Sequence, residues 1–455
     1  MKKRESFSGA LPVFLATLGS AVGLGNIWKF PGEVGGGGGG AFLLVYVLCL
    51  LLVGIPILLA EFVMGFTAKS NAVTAMDKLK VSKFWKIIGY MGMVTGYLIL
   101  FFYTSIAGLV YSYVVKAVTG QFSNITPDQA SQIFGEAATN PVSIVIWQVV
   151  AMAVVCTIII AGVQKGIERV TKVLMPVLLL LLVICAVRAL MLPAAGEGLR
   201  FLFVPDFSKI TPPIVLSAMG LAFFKLSLGM GTMTTYASYF SEDTGLVKTG
   251  VRVAFSDLMV SLLAGLAIFP AIFSFGFEPT AGPALLFITI PMVFSQIPFG
   301  GVLVAMFFIL GSIAATTAMI SMLEVPVAYL SEATKLSRTK ATLLSGGVML
   351  LFGIPAALSL DGGGSLLGGI RIFGRTVFDF YDFISSSITM PLGGVLIAVL
   401  VGWVVNRDVV KTALSNNGLI KNEKTQTTIL FVLRFVSTAA IILVFVTTLY
   451  SALFG

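Results

Sequence analysis

The chain has 455 residues, of which 57% are apolar and only 11% charged, with a mean hydropathy of +1.02. A soluble domain needs far more charge to cover its surface, so that class is excluded. The net charge of +9 comes from basic residues scattered through loops, which points to anionic membrane lipid rather than nucleic acid as a partner.

Apolar runs recur along the whole length, each near the ~20 residues that cross ~30 Å of hydrocarbon. Taken in order they predict eleven spans, at 8–33, 38–66, 84–116, 141–161, 166–192, 212–240, 245–276, 299–334, 340–360, 374–405 and 428–454. The opening Met1-Lys2-Lys3-Arg4 looks like the basic region of a signal peptide. However, the first apolar run is broken by glycines and lacks a small-residue cleavage pattern, so a retained first helix is expected. Cys49, Cys156 and Cys185 fall inside apolar runs without metal-ligand or disulfide spacing, which predicts small core residues. Histidine is absent, which removes the commonest general base and proton relay.

Placing the N-terminus in the cytoplasm puts 21 of the 29 basic residues inside and 6 outside, with Lys29 and Lys225 within spans. That asymmetry sets the orientation, and an odd number of spans then leaves Gly455 outside. Between spans, residues 193–211 look structured. Residues 277–298, from Glu278-Pro279-Thr280 to Ile297-Pro298, suit a short re-entrant or interfacial hairpin.

Spans one and six carry the unusual pattern. Span one holds Gly19-Ser20-Ala21-Val22-Gly23-Leu24-Gly25-Asn26, and span six holds Phe224-Lys225-Leu226-Ser227-Leu228-Gly229-Met230-Gly231. Glycines in mid-span weaken a helix. They either allow close helix packing or mark a break, whose bare amides and carbonyls can hold a polar solute. Two such breaks five spans apart fit an inverted five-helix repeat with a midplane site. The expected fold is therefore an all-α membrane protein of eleven helices with an inverted five-plus-five repeat and broken helices one and six. The whole of 1–455 forms one domain: repeat one over 8–192, repeat two over 212–405, and an additional helix at 428–454.

Gly19 to Pro31 (GSAVGLGNIWKFP), Gly38-Gly39-Gly40-Ala41-Phe42, Gly166-Ile167-Glu168-Arg169, Ser227 to Gly231 with Thr235-Tyr236-Ala237-Ser238-Tyr239, and Lys335-Leu336-Ser337-Arg338 resemble the neurotransmitter:sodium symporter family. The likeness is to its bacterial branch, of the eleven-helix type, and runs collinearly over nearly the whole chain. It implies an amino-acid transporter of the cell membrane with no organic cofactor. The substrate carboxylate would meet the amides of Leu24 and Gly25 and the hydroxyl of Tyr103. The ammonium would meet the carbonyls of Ala21 and Phe224 and the hydroxyl of Ser227. Ile99, Phe224, Met230, Ala318, Met319 and Met322 would line the side-chain pocket, favouring a hydrophobic or aliphatic amino acid. Lys29 with Asp382, above Phe224 and Tyr103, would form an outer gate. Arg4 with Glu332, near Phe7 and Tyr239, would form an inner one. Gly166 and Pro176 either let helix five unwind or simply start and kink it.

The chain departs from the family's pattern at its cation sites. The first sodium site would use Ala21, Asn26, a hydroxyl in span six and a polar residue in span seven, but the span-six position is Lys225. An ammonium and Na⁺ a few ångströms apart repel strongly. Lys225 is therefore expected to replace that sodium and reach either the substrate carboxylate or Asp257, beside Ser256; the alternative is a purely structural pair. The second sodium site would be Gly19, Val22, Ala314 and Thr317, with Ala318 where a further hydroxyl belongs, and Thr316 about 100° off round the helix. Three couplings follow: one sodium through the weakened second site, ranked first; protons, through Lys225; or uniport or exchange. Other differences are Lys29 for an arginine, Gly36-Gly37 for an acidic-amide pair, and Leu221 for a glutamine. An enzyme is disfavoured for want of a catalytic cluster. A channel or receptor is disfavoured because two breaks between gates do not make a continuous polar path. Oligomeric state is left open.

Overall fold

The computed structural model describes residues 5–123, 125–277, 284–360, 364–416 and 418–454, with 451–454 by backbone only. Helices make up the architecture, and among the described residues there is no strand, only isolated bridges at Gly39–Pro205 and Ile372–Arg375. In chain order the main helices are α1 (Ala10–Ala21), α2 (Gly25–Gly36), α3 (Gly40–Ala68), α4 (Lys83–Val118), α5 (Pro141–Ile160), α6 (Val163–Leu190), α7 (Pro212–Lys225), α8 (Thr232–Ala237), α9 (Leu246–Ser274), α10 (Leu285–Ser295), α11 (Gly300–Ala333), α12 (Arg338–Ala357), α13 (Val377–Val404), α14 (Arg407–Leu414) and α15 (Glu423–Tyr450). Among the described residues nine of them are long and apolar enough to span a bilayer, and α1 with α2, bent by 53° at their break, count as a tenth when taken as one span.

The expected span six is divided. α7 stops at Lys225, a non-helical stretch follows, and α8 is only a short restart. Of the outer segment at 277–298, residues 278–283 lie outside the described residues, and the rest forms the short apolar helix α10. The 193–211 loop contains a helix at Ala195–Phe203 and a turn at Phe207–Lys209.

Burial sorts the helices. The most apolar stretches of α4 and α11 are 78% buried, against 33% for α6 and α15, so the first two form the inner framework and the others present an apolar face outward. α11 packs on α4, α6, α12 and α1. The three cysteines are buried and unpaired. The closest backbone approach is made by Gly65: a Cβ there would sit 1.9 Å from the Thr234 carbonyl oxygen. Only hydrogen lets α3 lie against α8.

Candidate substrate and cation site

Local sequence makes both breaks. Val22 leaves helical geometry (φ −82°, ψ 100°) while its N–H still donates to Leu18 O at 2.7 Å, so the carbonyls after Leu18 lose their ladder partners. Inside the gap the Gly23 N–H donates to Asn26 Oδ1 (3.2 Å) and the Leu24 N–H to the Tyr103 hydroxyl (2.9 Å). The second break follows from left-handed backbone at Ser227 (φ 54°), Gly229 (φ 76°) and Gly231 (φ 72°), which no α-helix accommodates. Gly229 is constrained twice, because a Cβ there would also lie 2.5 Å from Met390 O. The two breaks touch: Ser227 Oγ donates to Ser20 O at 3.0 Å.

Glu61 of α3 satisfies the amides that the second break exposes. One carboxylate oxygen accepts from Gly229 N (2.8 Å), the other from Thr234 N (3.2 Å) and Thr234 Oγ1 (3.1 Å). Glu61 is fully buried and stands at the start of α8, where an anion complements unpaired N–H groups.

Between the breaks lies a cavity with about 20 Å³ of free space, little more than one water occupies. It is lined by Ala21, Gly25, Ile99, Tyr103, Phe224, Lys225, Ser227, Met230, Ala318 and Met322, together with Ser20 and Gly23. Leu24 and Met319, also expected there, are buried but do not line it; Leu24 takes part through its amide only. Ser20 Oγ is buried without a hydrogen-bond partner among the described residues. A Cβ on Gly23 would fall 2.9 Å from the Tyr103 hydroxyl and 3.1 Å from Ala318 Cβ, so this glycine keeps the mouth of the first break open.

Lys225 meets Asp257, one of the partners expected for it, with Nζ 2.9 Å from Oδ2 and both side chains without exposed surface. Nζ also donates to the Tyr46 hydroxyl at 2.9 Å and sits 4.8 Å and 4.7 Å from the ring centroids of Phe30 and Tyr46, which adds cation–π attraction. Asn26 Nδ2 donates to Asp257 Oδ1 (2.6 Å), Asp257 O (3.1 Å) and Ser261 Oγ (3.0 Å). Ser256, expected beside Asp257, does not join this group. It is partly exposed, because adjacent helical positions lie about 100° apart. Ser261, one turn beyond Asp257, takes that place, its hydroxyl donating to Asp257 O at 3.1 Å.

The backbone of Gly19 lies beside Thr317, for a Cβ on Gly19 would be 3.4 Å from Thr317 Cβ. Thr317 Oγ1 donates to Ile313 O (3.1 Å) and Ala314 O (3.2 Å), which leaves its lone pairs for a cation. Val22 and Ala314 are buried in the same core. Thr316 is engaged elsewhere, with Tyr111 at 2.5 Å.

At the end expected to face outward, Lys29 Nζ lies 3.4 Å from Asp382 Oδ1 and 4.4 Å from the centre of the Phe224 ring. At the other end, Arg4 lies outside the described residues, and Glu332 accepts from Asn71 N (3.1 Å) and Nδ2 (2.8 Å). Phe7 and Tyr239 meet edge to face at 6.1 Å, and Phe7 N donates to Tyr239 O at 2.9 Å. Tyr239 in turn donates to the buried Glu324 (2.7 Å), which also receives a forked pair from Arg338 at 3.0 Å and 2.7 Å. Gly166 lies in a π-helical turn, Val163–Glu168, and Pro176 within the helix that follows.

Glu61, Glu324, Tyr46, Ser261 and Ser20 are the residues that the sequence reading missed. Acidic residues are rare in membrane helices and nearly always paired, so Glu61 and Glu324 carried a usable signal. The hydroxyls carried none, since only the tertiary approach distinguishes them from ordinary helix-packing groups.

A many-helix membrane bundle with two interrupted helices meeting at a central cavity defines a multi-pass transporter. The chain belongs to the sodium:neurotransmitter symporter family, whose family model matches residues 4–136 and 137–453. It is 38% identical over 444 residues to the uncharacterized sodium-dependent transporter YhdH of Bacillus subtilis, covering 98% of this chain and 97% of the relative. To an uncharacterized sodium-dependent transporter of Haemophilus influenzae it is 37% identical over 426 residues, 91% of this chain and 92% of that one. The crystal structure of MhsT in complex with L-phenylalanine superposes with a TM-score of 0.91 at 42% identity, over 98% of this chain and 100% of that one.

Proposed function

We propose that the chain carries a hydrophobic or aliphatic amino acid across the cell membrane by alternating access, with Lys225 standing where a first sodium ion would otherwise sit. The observation that carries this reading is the buried Lys225–Asp257 pair at 2.9 Å against the cavity. The interrupted backbone suits a zwitterion: the amide of Gly25 beside the Tyr103 hydroxyl would meet the carboxylate, and the carbonyl of Ala21 with Ser227 would meet the ammonium. Ile99, Met230 and Met322 suit an apolar side chain, and the L-phenylalanine bound to MhsT supports that substrate class.

The proposed topology is eleven spans, with 8–192 and 212–405 as inverted repeats, 428–454 as an additional helix, the N-terminus inside and the C-terminus outside. Lys225 and Asp257 neutralise each other without an imported ion, and a sodium a few ångströms from the ammonium would be repelled. Coupling then falls to one sodium at Gly19, Val22, Ala314 and Thr317, in keeping with the names of the two bacterial relatives. A second reading, transport without sodium, is favoured by one observation: Ala318, next to Thr317 in sequence, has no hydroxyl to offer a cation.

The test is uptake of radiolabelled amino acids into proteoliposomes, with sodium and pH gradients imposed separately. Saturable uptake of apolar amino acids driven by sodium is expected. Uptake under a pH gradient alone selects the second reading, and no saturable uptake of any apolar amino acid overturns both.

A further inference from the structure

We propose that Arg434 and Trp403 form a binding site for the phosphate headgroup of an anionic phospholipid. Three membrane helices depart from α geometry where they adjoin: α3 has a π-helical turn at Leu50–Gly54, α13 at Leu400–Val404 and α15 at Val432–Ser437. Such turns pull carbonyls out of the regular ladder. Two of these carbonyls are taken up by side chains of α15. Ser437 Oγ donates to Leu52 O at 2.6 Å, and Arg434 Nε donates to Gly402 O. Gly402 makes room for this, since a Cβ there would lie 3.1 Å from Arg434 Cγ.

That single bond leaves most of the guanidinium unused. Its terminal nitrogens have no hydrogen bond, and no carboxylate pairs with it, among the described residues. The side chain is half-buried in a span, where an unpaired charge is costly. Its neighbours face outward: Phe431 is 58% exposed, Phe435 57% and Trp403 46%. Trp403 and Phe435 pack edge to face at 6.2 Å, and an outward tryptophan marks headgroup depth. The connection between α13 and α15, with the first turn of α15, adds Arg407, Lys411, Lys421 and Lys424 against Asp408 and Glu423. A lipid phosphate supplies the missing anion and accepts the planar fork of an arginine, while its chains lie on the exposed aromatic faces.

The experiment measures thermal unfolding of the purified full-length chain in neutral detergent with added phosphatidylglycerol, phosphatidylcholine or inorganic phosphate. Phosphatidylglycerol is expected to raise Tm, and the other two are not. Arg434→Gln keeps a donor for Gly402 O and should lose that rise while unfolding normally without lipid; Arg434→Lys should keep part of it. Native mass spectrometry of the unaltered chain provides a readout independent of variant folding: it should retain phosphatidylglycerol in preference to phosphatidylcholine. An equal rise in Arg434→Gln, an equal response to phosphatidylcholine, or full replacement by inorganic phosphate would overturn the site.

Discussion

Lys225 and Asp257 come from different helices, and with neither exposed each serves as the other's solvent. Removing one partner strands a charge. Lys225→Met should therefore cost about 3–5 kcal/mol, read as a fall in Tm, whereas Lys225→Met with Asp257→Leu should recover most of it. If the double variant unfolds as early as the single one, the pair is not the source of the stability. Tyr46→Phe removes one acceptor of the ammonium and should cost about 1–3 kcal/mol. At this scale, legibility follows rarity. A lysine and an aspartate inside apolar runs stand out in a sequence, and both were read as partners. Tyr46 and Ser261 were not, because hydroxyls are ordinary in membrane helices and nothing along the chain says that α3 and α9 converge on α7. Ser256 was named for its place beside Asp257 in sequence, but the neighbour in sequence is not the neighbour on the helix face.

The broken helices were legible because glycines cluster in mid-span, but what stabilises them was not. α7 and α8 hold their geometry through Glu61, which fills the hydrogen-bonding needs of Gly229 and Thr234 from a third helix. Glu61→Ala leaves these N–H groups unpaired at bilayer depth, a loss of about 1–3 kcal/mol for each. It should weaken substrate binding along with stability, both measurable by thermal shift with and without amino acid. Close packing makes a sharper contrast. Gly65→Ala drives a methyl into the Thr234 carbonyl, whereas a Cβ at Gly220 meets nothing within 4 Å. Expression and monodispersity in detergent should fail for Gly65→Ala and stay normal for Gly220→Ala. The sequence offers the same residue at both places, and only the packing of α3 on α8 separates them.

Taken whole, the molecule has contacts at both ends and a cavity of about 20 Å³ between them, so the proposed amino acid would enter only if one end gave way. The two closures differ in kind. Lys29 and Asp382 are 23% and 37% exposed, and a solvated pair contributes little, about 0–1 kcal/mol. Glu324 is buried and holds both Arg338 and Tyr239. Glu324→Gln should therefore shift the molecule toward opening at that end, seen as faster labelling of a cysteine placed at Ser20, while Lys29→Met should leave Tm nearly unchanged. The outer pair was legible from the family resemblance. At the end expected to face the cytoplasm, Arg4 lies outside the described residues, and the observed network runs through Glu324, which the sequence reading did not name.

If Lys225 fills the first cation position, no sodium ion binds there. The direct measurement is the number of sodium ions bound per amino acid, from equilibrium binding of ²²Na⁺ to the purified chain with saturating substrate, compared with a Lys225→Thr, Asp257→Asn double variant. At most one ion in the unaltered chain and an additional one in the double variant is the predicted result. Two ions bound to the unaltered chain, with Lys225 in place, would contradict it.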